Sequence, residues 1–139
     1  MSAHFTWTGL EDLKAELRRL PAELAVEGAN LVVGRANGAA RTIRAGYPRR
    51  TGDLRDHVEV EHTRSPFGAR SIVRNTSKHA ASFERGTQAR HTKIGANRGA
   101  MPPNPLFTQT MRRERRALYD VDLRGLLERH GLRVTGDAG

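Results

Sequence analysis

Leu10, Leu13, Leu17 and Leu20 recur at steps of three and four residues, the period of an amphipathic helix with one apolar stripe. Thr8 is placed to cap it, with Glu11 three residues on to complete a capping box. Glu11 and Asp12 suit the positive end of the helix dipole, Arg18 and Arg19 the negative end. Pro21 interrupts the pattern and suits the first turn of a second helix. That helix is expected from about Ala22 to Arg44, carrying Leu24, Leu31, Val32, Ala36, Ala39, Ala40 and Ile43. At 1.5 Å per residue it spans about 35 Å, the longest element expected. Gly28, Gly34 and Gly38 each cost about 1 kcal/mol against alanine in a helix interior. They mark a kink or, on the favoured reading, places where core packing needs a small residue.

The pattern changes at Tyr47–Arg55, YPRRTGDLR. Pro48 biases Tyr47 away from helical angles, so the long helix should end at Ala45 or Gly46. Gly52 and Asp53 are turn residues. From Leu54 the apolar and polar positions alternate, which predicts a strand with Val58 and Val60 facing the core. Ser65-Pro66-Phe67-Gly68 reads as a turn and Arg70–Asn75 as the returning strand of an antiparallel hairpin. After His79–Thr87 (HAASFERGT), the segment Gln88–Ala100 has almost nothing to bury and reads as a mobile loop or an arm that orders on a partner. Asn104 then caps a helix with Pro105 at its first position, running through Leu106, Phe107, Met111 and Leu118 with Arg112, Arg113, Arg115 and Arg116 on its exposed face. A short last helix is expected at about Leu123–Arg129, ending at Gly131. The fold class is therefore α+β: N-terminal helices including one long one, a small antiparallel sheet, a C-terminal helix and an extended basic loop. One domain spans 1–139, with a flexible arm at about 88–100 and a frayed tail at about 132–139.

Composition adds two constraints. An apolar fraction of 37% with 5% aromatics gives a modest core of Leu, Val and Ala, burying roughly two-thirds of the unfolded surface. Trp7, the one tryptophan, is expected to pack on the first helix. The formal net charge of +9 favours polyanionic or acidic partners. Only Lys14, Lys78 and Lys93 are lysines among 24 basic residues, and genome composition alone also produces such an arginine bias.

Candidate chemistry is sparse. The chain has no cysteine, which excludes disulfides and thiolate metal sites. No apolar run reaches membrane-spanning length, and the N-terminus lacks a leader pattern, so a soluble protein made in a cytoplasm is expected. His57, His62, His79 and His91 lack the helical spacing of common metal sites, and neither a nucleophile elbow nor a P-loop is present. Glu84 is the one carboxylate in an unusual setting, between Phe83 and Arg85, and a lone carboxylate more often caps or pairs than catalyses. No cofactor, no metal and no enzymatic activity are expected. Phosphate contact by Arg49 and Arg50, by the arm and by the Arg112–Arg116 helix fits the charge better. A basic module binding DNA non-specifically is thus one reading, and a metal-dependent nuclease a weaker third.

Three ordered segments carry a resemblance: PRRTGDLR (Pro48–Arg55), HAASFERGT (His79–Thr87) and MPPNPLF (Met101–Phe107). Together they resemble the neck and tail-completion proteins of long-tailed bacteriophages and prophages, also described as head–tail connectors or tail components. Thr51, Gly52, Leu54 and Arg55 match the family's basic turn, and Ala80, Glu84, Gly86 and Thr87 match its second segment. His79 stands where tyrosine is usual, and Leu106-Phe107 replaces Pro-Phe. The resemblance spans about Leu10 to Leu118. It implies a structural virion protein forming a homo-oligomeric ring, six-fold as the tail is, between the head connector or stopper and the tail terminator or tube. On that reading Arg49, Arg50, Arg55, Arg90, Lys93 and Arg98 supply one ring face or line a lumen through which DNA passes.

Overall fold

The computed structural model describes residues 10–66, 68–91 and 93–133, with side chains from Leu20 onward apart from Arg90, Asn97 and Arg98. The expected roles of Trp7 and Thr8 and most of the expected tail lie outside these residues. The fold is α+β. Helix α1 (Leu10–Gly46) is followed by a helical turn α2 (Asp53–Asp56) and the antiparallel strands β1 (Val58–Ser65) and β2 (Gly68–Asn75). Helix α3 (Ala80–Arg85) leads to a second antiparallel pair, β3 (Thr87–His91) and β4 (Asn97–Met101). Then come α4 (Leu106–Ala117), a π-helical turn (Leu118–Leu123) and α5 (Arg124–Arg129), with helical angles kept at the two internal junctions.

Four expectations need correction. The two N-terminal helices are one helix of 37 residues that passes through Pro21. Proline removes a single backbone donor, while its fixed φ is itself helical, so the remaining ladder carries the helix on. It reaches about 55 Å. The strand expected from Leu54 starts at Val58 instead, because Gly52 at φ +72° lets the chain curl. The Asp56 N–H donates to the Gly52 carbonyl at 2.8 Å and the His57 N–H to that of Asp53 at 3.3 Å, closing the short helix α2. The basic arm at 88–100 is a hairpin rather than a loop, with Thr87 opposite Met101, Arg90 opposite Gly99, and irregularities between. The expected break before Leu123 is a π-helical turn, so α4 and α5 follow without interruption.

The end of α1, the first hairpin and the main core follow the pattern. Helix α1 ends at Gly46, next to the residue that Pro48 restricts. Its buried positions Ala36, Ala39, Ala40, Ile43 and the following Tyr47 recur at helical spacing. Ala36, Ala40, Ile43 and Tyr47 join Val58 and Val73 in the main core cluster, with Leu54, Val60, Phe83, Leu106, Phe107 and Met111 packed on it. Small alanines on α1 let β1, β2 and α4 come close, so one helix face serves two neighbours. Val60 pairs with Val73 across the hairpin. The Arg44 guanidinium donates to the Val58 carbonyl at 2.7 Å, fastening the end of α1 to the start of β1. Of the three helix glycines, Gly28 faces Leu126 of α5, whereas Gly34 and Gly38 line a polar groove instead of the core.

Candidate functional site

The three segments that carry the resemblance meet at one junction. Tyr47, at the end of α1, stacks edge-on against Phe83 of α3, with centroids 5.2 Å apart and planes at 76°. This geometry suits the opposed charges of ring edge and ring face. Burial raises the Tyr47 hydroxyl above its ordinary pKa, opposed by a hydrogen bond with the Asn75 side chain and helped by the nearby Glu84 charge.

Glu84 does what its neighbours in sequence do not announce. Its Oε2 accepts from the Phe107 N–H at 3.1 Å and its Oε1 from the Thr108 N–H at 2.8 Å. Helix α4 begins behind three prolines, and Pro105 at its N-cap position offers no side-chain acceptor. The carboxylate of a distant helix therefore satisfies the orphan donors and meets the positive end of the dipole. Asn104, expected as the cap, instead uses its backbone: its N–H donates to the Phe83 carbonyl at 3.1 Å and its carbonyl accepts from Leu106 at 2.9 Å. Gly86 sits at φ +77°, and a Cβ there would stand 2.7 Å from the Met101 carbonyl oxygen and 2.8 Å from the Pro103 nitrogen. Thr87 Oγ1 accepts from the Met101 N–H at 3.1 Å and closes the base of the β3–β4 hairpin.

The arginine corner is built on Asp53. The Ser77 hydroxyl donates to its Oδ2, and His57 Nδ1 lies 3.3 Å from its Oδ1 and 2.7 Å from its carbonyl oxygen. The Ser77 bond above all, then the charges of His57, His79 and Lys78, hold the Asp53 carboxyl below the usual range. Serine and histidine both address this acid rather than one another, so the group braces the corner. Asn75 donates to the Leu54 carbonyl at 3.0 Å and accepts from the Ser77 N–H at 2.9 Å, which binds the corner to the end of β2. Thr51 Oγ1 lies 3.4 Å from the Asp53 nitrogen.

With the corner held from behind, Arg49 and Arg50 are exposed, and Arg55 is exposed beside Asp56 at 3.2 Å. Lys93 stands exposed at the β3–β4 tip, with Arg90 and Arg98 placed on its two strands. The six candidate residues thus form two groups, a corner and a hairpin, both leading away from the Tyr47–Phe83 junction. On α4, Arg112, Arg113, Arg115 and Arg116 are exposed, and the Arg115 guanidinium lies 5.8 Å from the centre of the Tyr119 ring.

One arrangement has no local sequence signal. Arg35 of α1 donates through Nε and Nη2 to the two carboxylate oxygens of Asp122 at 2.6 and 2.9 Å, and through Nη1 to Glu114 at 3.1 Å. The pairing raises the Arg35 pKa and holds the Asp122 carboxyl below its ordinary value. Beside it, an apolar groove of about 470 Å³ runs between α1 and α4, lined by Val32, Ala36, Ala39, Met111, Leu118 and Tyr119 among others.

Among the described residues, no group of three or more His, Asp or Glu is placed to hold a metal ion, and no helix is long and apolar enough to cross a membrane. Searches against protein-family models, curated proteins and solved structures returned no match to this chain.

Proposed function

We propose that this protein is a structural component of a phage neck or tail, assembling as a ring that joins or completes the tail at the head–tail interface. One observation carries the reading: the residues of the three resembling segments are spent on architecture. Leu54, Glu84, Gly86 and Thr87 pack, cap or close elements about the junction, and Gly52 turns the corner that leads away from it. A pattern of this kind describes a shape that must be kept, whereas an enzyme's pattern would converge on a reacting atom. Arg49 and Arg50, exposed on that frame, are left to meet a partner.

Ring closure by repeated heterologous contacts needs two different complementary faces on each copy. The basic corner supplies one such face on this reading, to be met by an acidic surface of the next copy. Six copies would match a six-fold tail, with the head connector or stopper above and the tail terminator or tube below.

Electron microscopy of particles made without this gene tests the reading. Filled heads beside separate tails, or attached but non-infectious tails, are expected; normal infectious virions would remove it. Charge reversal at Arg49, Arg50 and Arg55 is expected to reduce assembly, and an unaffected particle yield would remove the corner from the interface.

A further inference from the structure

The β3–β4 hairpin combines a cationic sequence with one exposed apolar side chain. Its sequence, residues 87–101, carries Arg90, Lys93 and Arg98 and not one acid. At its tip Ile94 is 92% exposed, the most exposed large apolar side chain among the described residues. Neither Lys93, which is exposed, nor Ile94 belongs to the core cluster. Gly95 follows at φ +86°, with open space where a Cβ would stand, and Ala96 comes next, so the end of the ribbon is thin around one bulky apolar group.

We infer that this hairpin grips duplex DNA without sequence specificity, its cations on the phosphates and Ile94 wedged between base pairs from the minor groove. The proposal deepens the neck reading by naming the element that touches DNA, and rests on that reading only for where the DNA is met. Phosphates supply the binding energy for a cationic ribbon and carry no sequence information. The minor groove, about 6 Å wide, admits a narrow tip, and an inserted isoleucine partly unstacks a base step. The major groove would take the whole ribbon but offers an apolar side chain little beyond thymine methyl groups. A protein partner would need an apolar pocket ringed by acids. A duplex presents a base stack between two rows of anions at every turn.

Wedging predicts a preference set by deformability: pyrimidine–purine steps part readily, and stiff A-tracts resist. The test is binding of the full chain to short fluorescein-labelled duplexes, followed by anisotropy between about 50 and 200 mM salt. A second set of duplexes carries 2-aminopurine beside a TA step and reports unstacking as a rise in fluorescence. The Arg90→Ala/Lys93→Ala/Arg98→Ala variant is expected to lose about 2.7 from the slope of log affinity against log salt, about 0.9 per phosphate contact. Ile94→Ser is expected to keep the parent's slope while losing both the fluorescence rise and the preference for TA steps over an A-tract. Circular dichroism matching the parent establishes that each variant is folded.

A triple variant that binds like the parent overturns the inference, and so does an Ile94→Ser protein that still unstacks the TA step. Hairpin variants that bind DNA normally yet fail to assemble would make the hairpin a protein-docking element and overturn it equally. The two readings separate cleanly. Both DNA effects in a protein that builds no neck retire the neck and leave the wedge, while necks built by a protein lacking both effects do the reverse.

Discussion

The Glu84 carboxylate accepts the Thr108 N–H at 2.8 Å across 24 residues of chain, so α3 caps the helix that α4 cannot cap for itself. Glu84→Ala is expected to destabilise the fold by about 1–2 kcal/mol, with Glu84→Gln losing less because the amide oxygen still accepts one bond. Urea denaturation of the three proteins measures the order. Equal stability of Glu84→Ala and parent would show that water replaces the cap without cost.

Gly86 and Gly95 both have positive φ, near +77° and +86°, but only Gly86 is crowded by backbone atoms. Gly86→Ala is expected to cost more than about 3 kcal/mol, since a φ of 77° with ψ of 176° is backbone open essentially to glycine alone, a strain of about 1–3 kcal/mol, and a clash with Met101 and Pro103 is added to it. Gly95→Ala should show the conformational penalty alone. Denaturation midpoints check the order, with the larger loss expected at Gly86.

Asp122 is held below its ordinary pKa by Arg35, which sets a sign for acid stability. A depressed carboxyl contributes stability that is fully present above its unfolded value of about 3.9 and is lost as pH falls through the folded value. Arg35→Met is expected to lower stability at neutral pH by about 1–2 kcal/mol, discounted because the arginine side chain is 33% exposed. It should also flatten the acid limb of the stability–pH curve. An unchanged acid limb would mean that other carboxylates dominate there.

Tyr47 is raised by burial, so its hydroxyl should titrate later than an exposed phenol, visible as a late component in ultraviolet absorbance. The folded state then holds this proton more tightly than the unfolded chain, and stability falls as pH rises past the ordinary tyrosine value of about 10. Tyr47→Phe is expected to remove the late component. Phe83→Ala, which empties the other half of the edge-on pair, should cost about 3 kcal/mol.

Much of the frame was legible because it is written locally. Pro48 marked the end of α1, the Val58 and Val60 alternation marked the first hairpin, and the prolines before Leu106 marked the start of α4. Pro21 misled because a helix-breaking signal competes with the continuity of a ladder that loses only one bond there. The 88–100 segment misled because pairing of its two strands needs no apolar residues, and periodicity detects burial rather than backbone bonds. Glu84 was noticed for its setting, and capping was among the roles weighed for it, but its partners lie 23 and 24 residues away. Arg35, Glu114 and Asp122 passed unnoticed, since each is an ordinary charge on an ordinary helix until folding brings separations of 79 and 87 residues together.

The π-helical turn at Leu118–Leu123 works as a phasing device. Glu114 and Asp122 are eight residues apart, which on an uninterrupted α-helix would leave them about 80° out of line after two turns. The wider winding absorbs that excess, and both acids face Arg35. Everything downstream inherits the correction, including Leu126 against Gly28 and His130, whose Nε2 lies 3.2 Å from Glu27. A one-residue deletion in this turn would let it close as ordinary α-helix, and the seven remaining steps would leave the two acids only about 20° out of line, so the C-terminal stretch would keep its facing. The C-terminal stretch is tuned to α1 by angle as well as by distance, and this turn is where an extra residue is taken up without changing that angle.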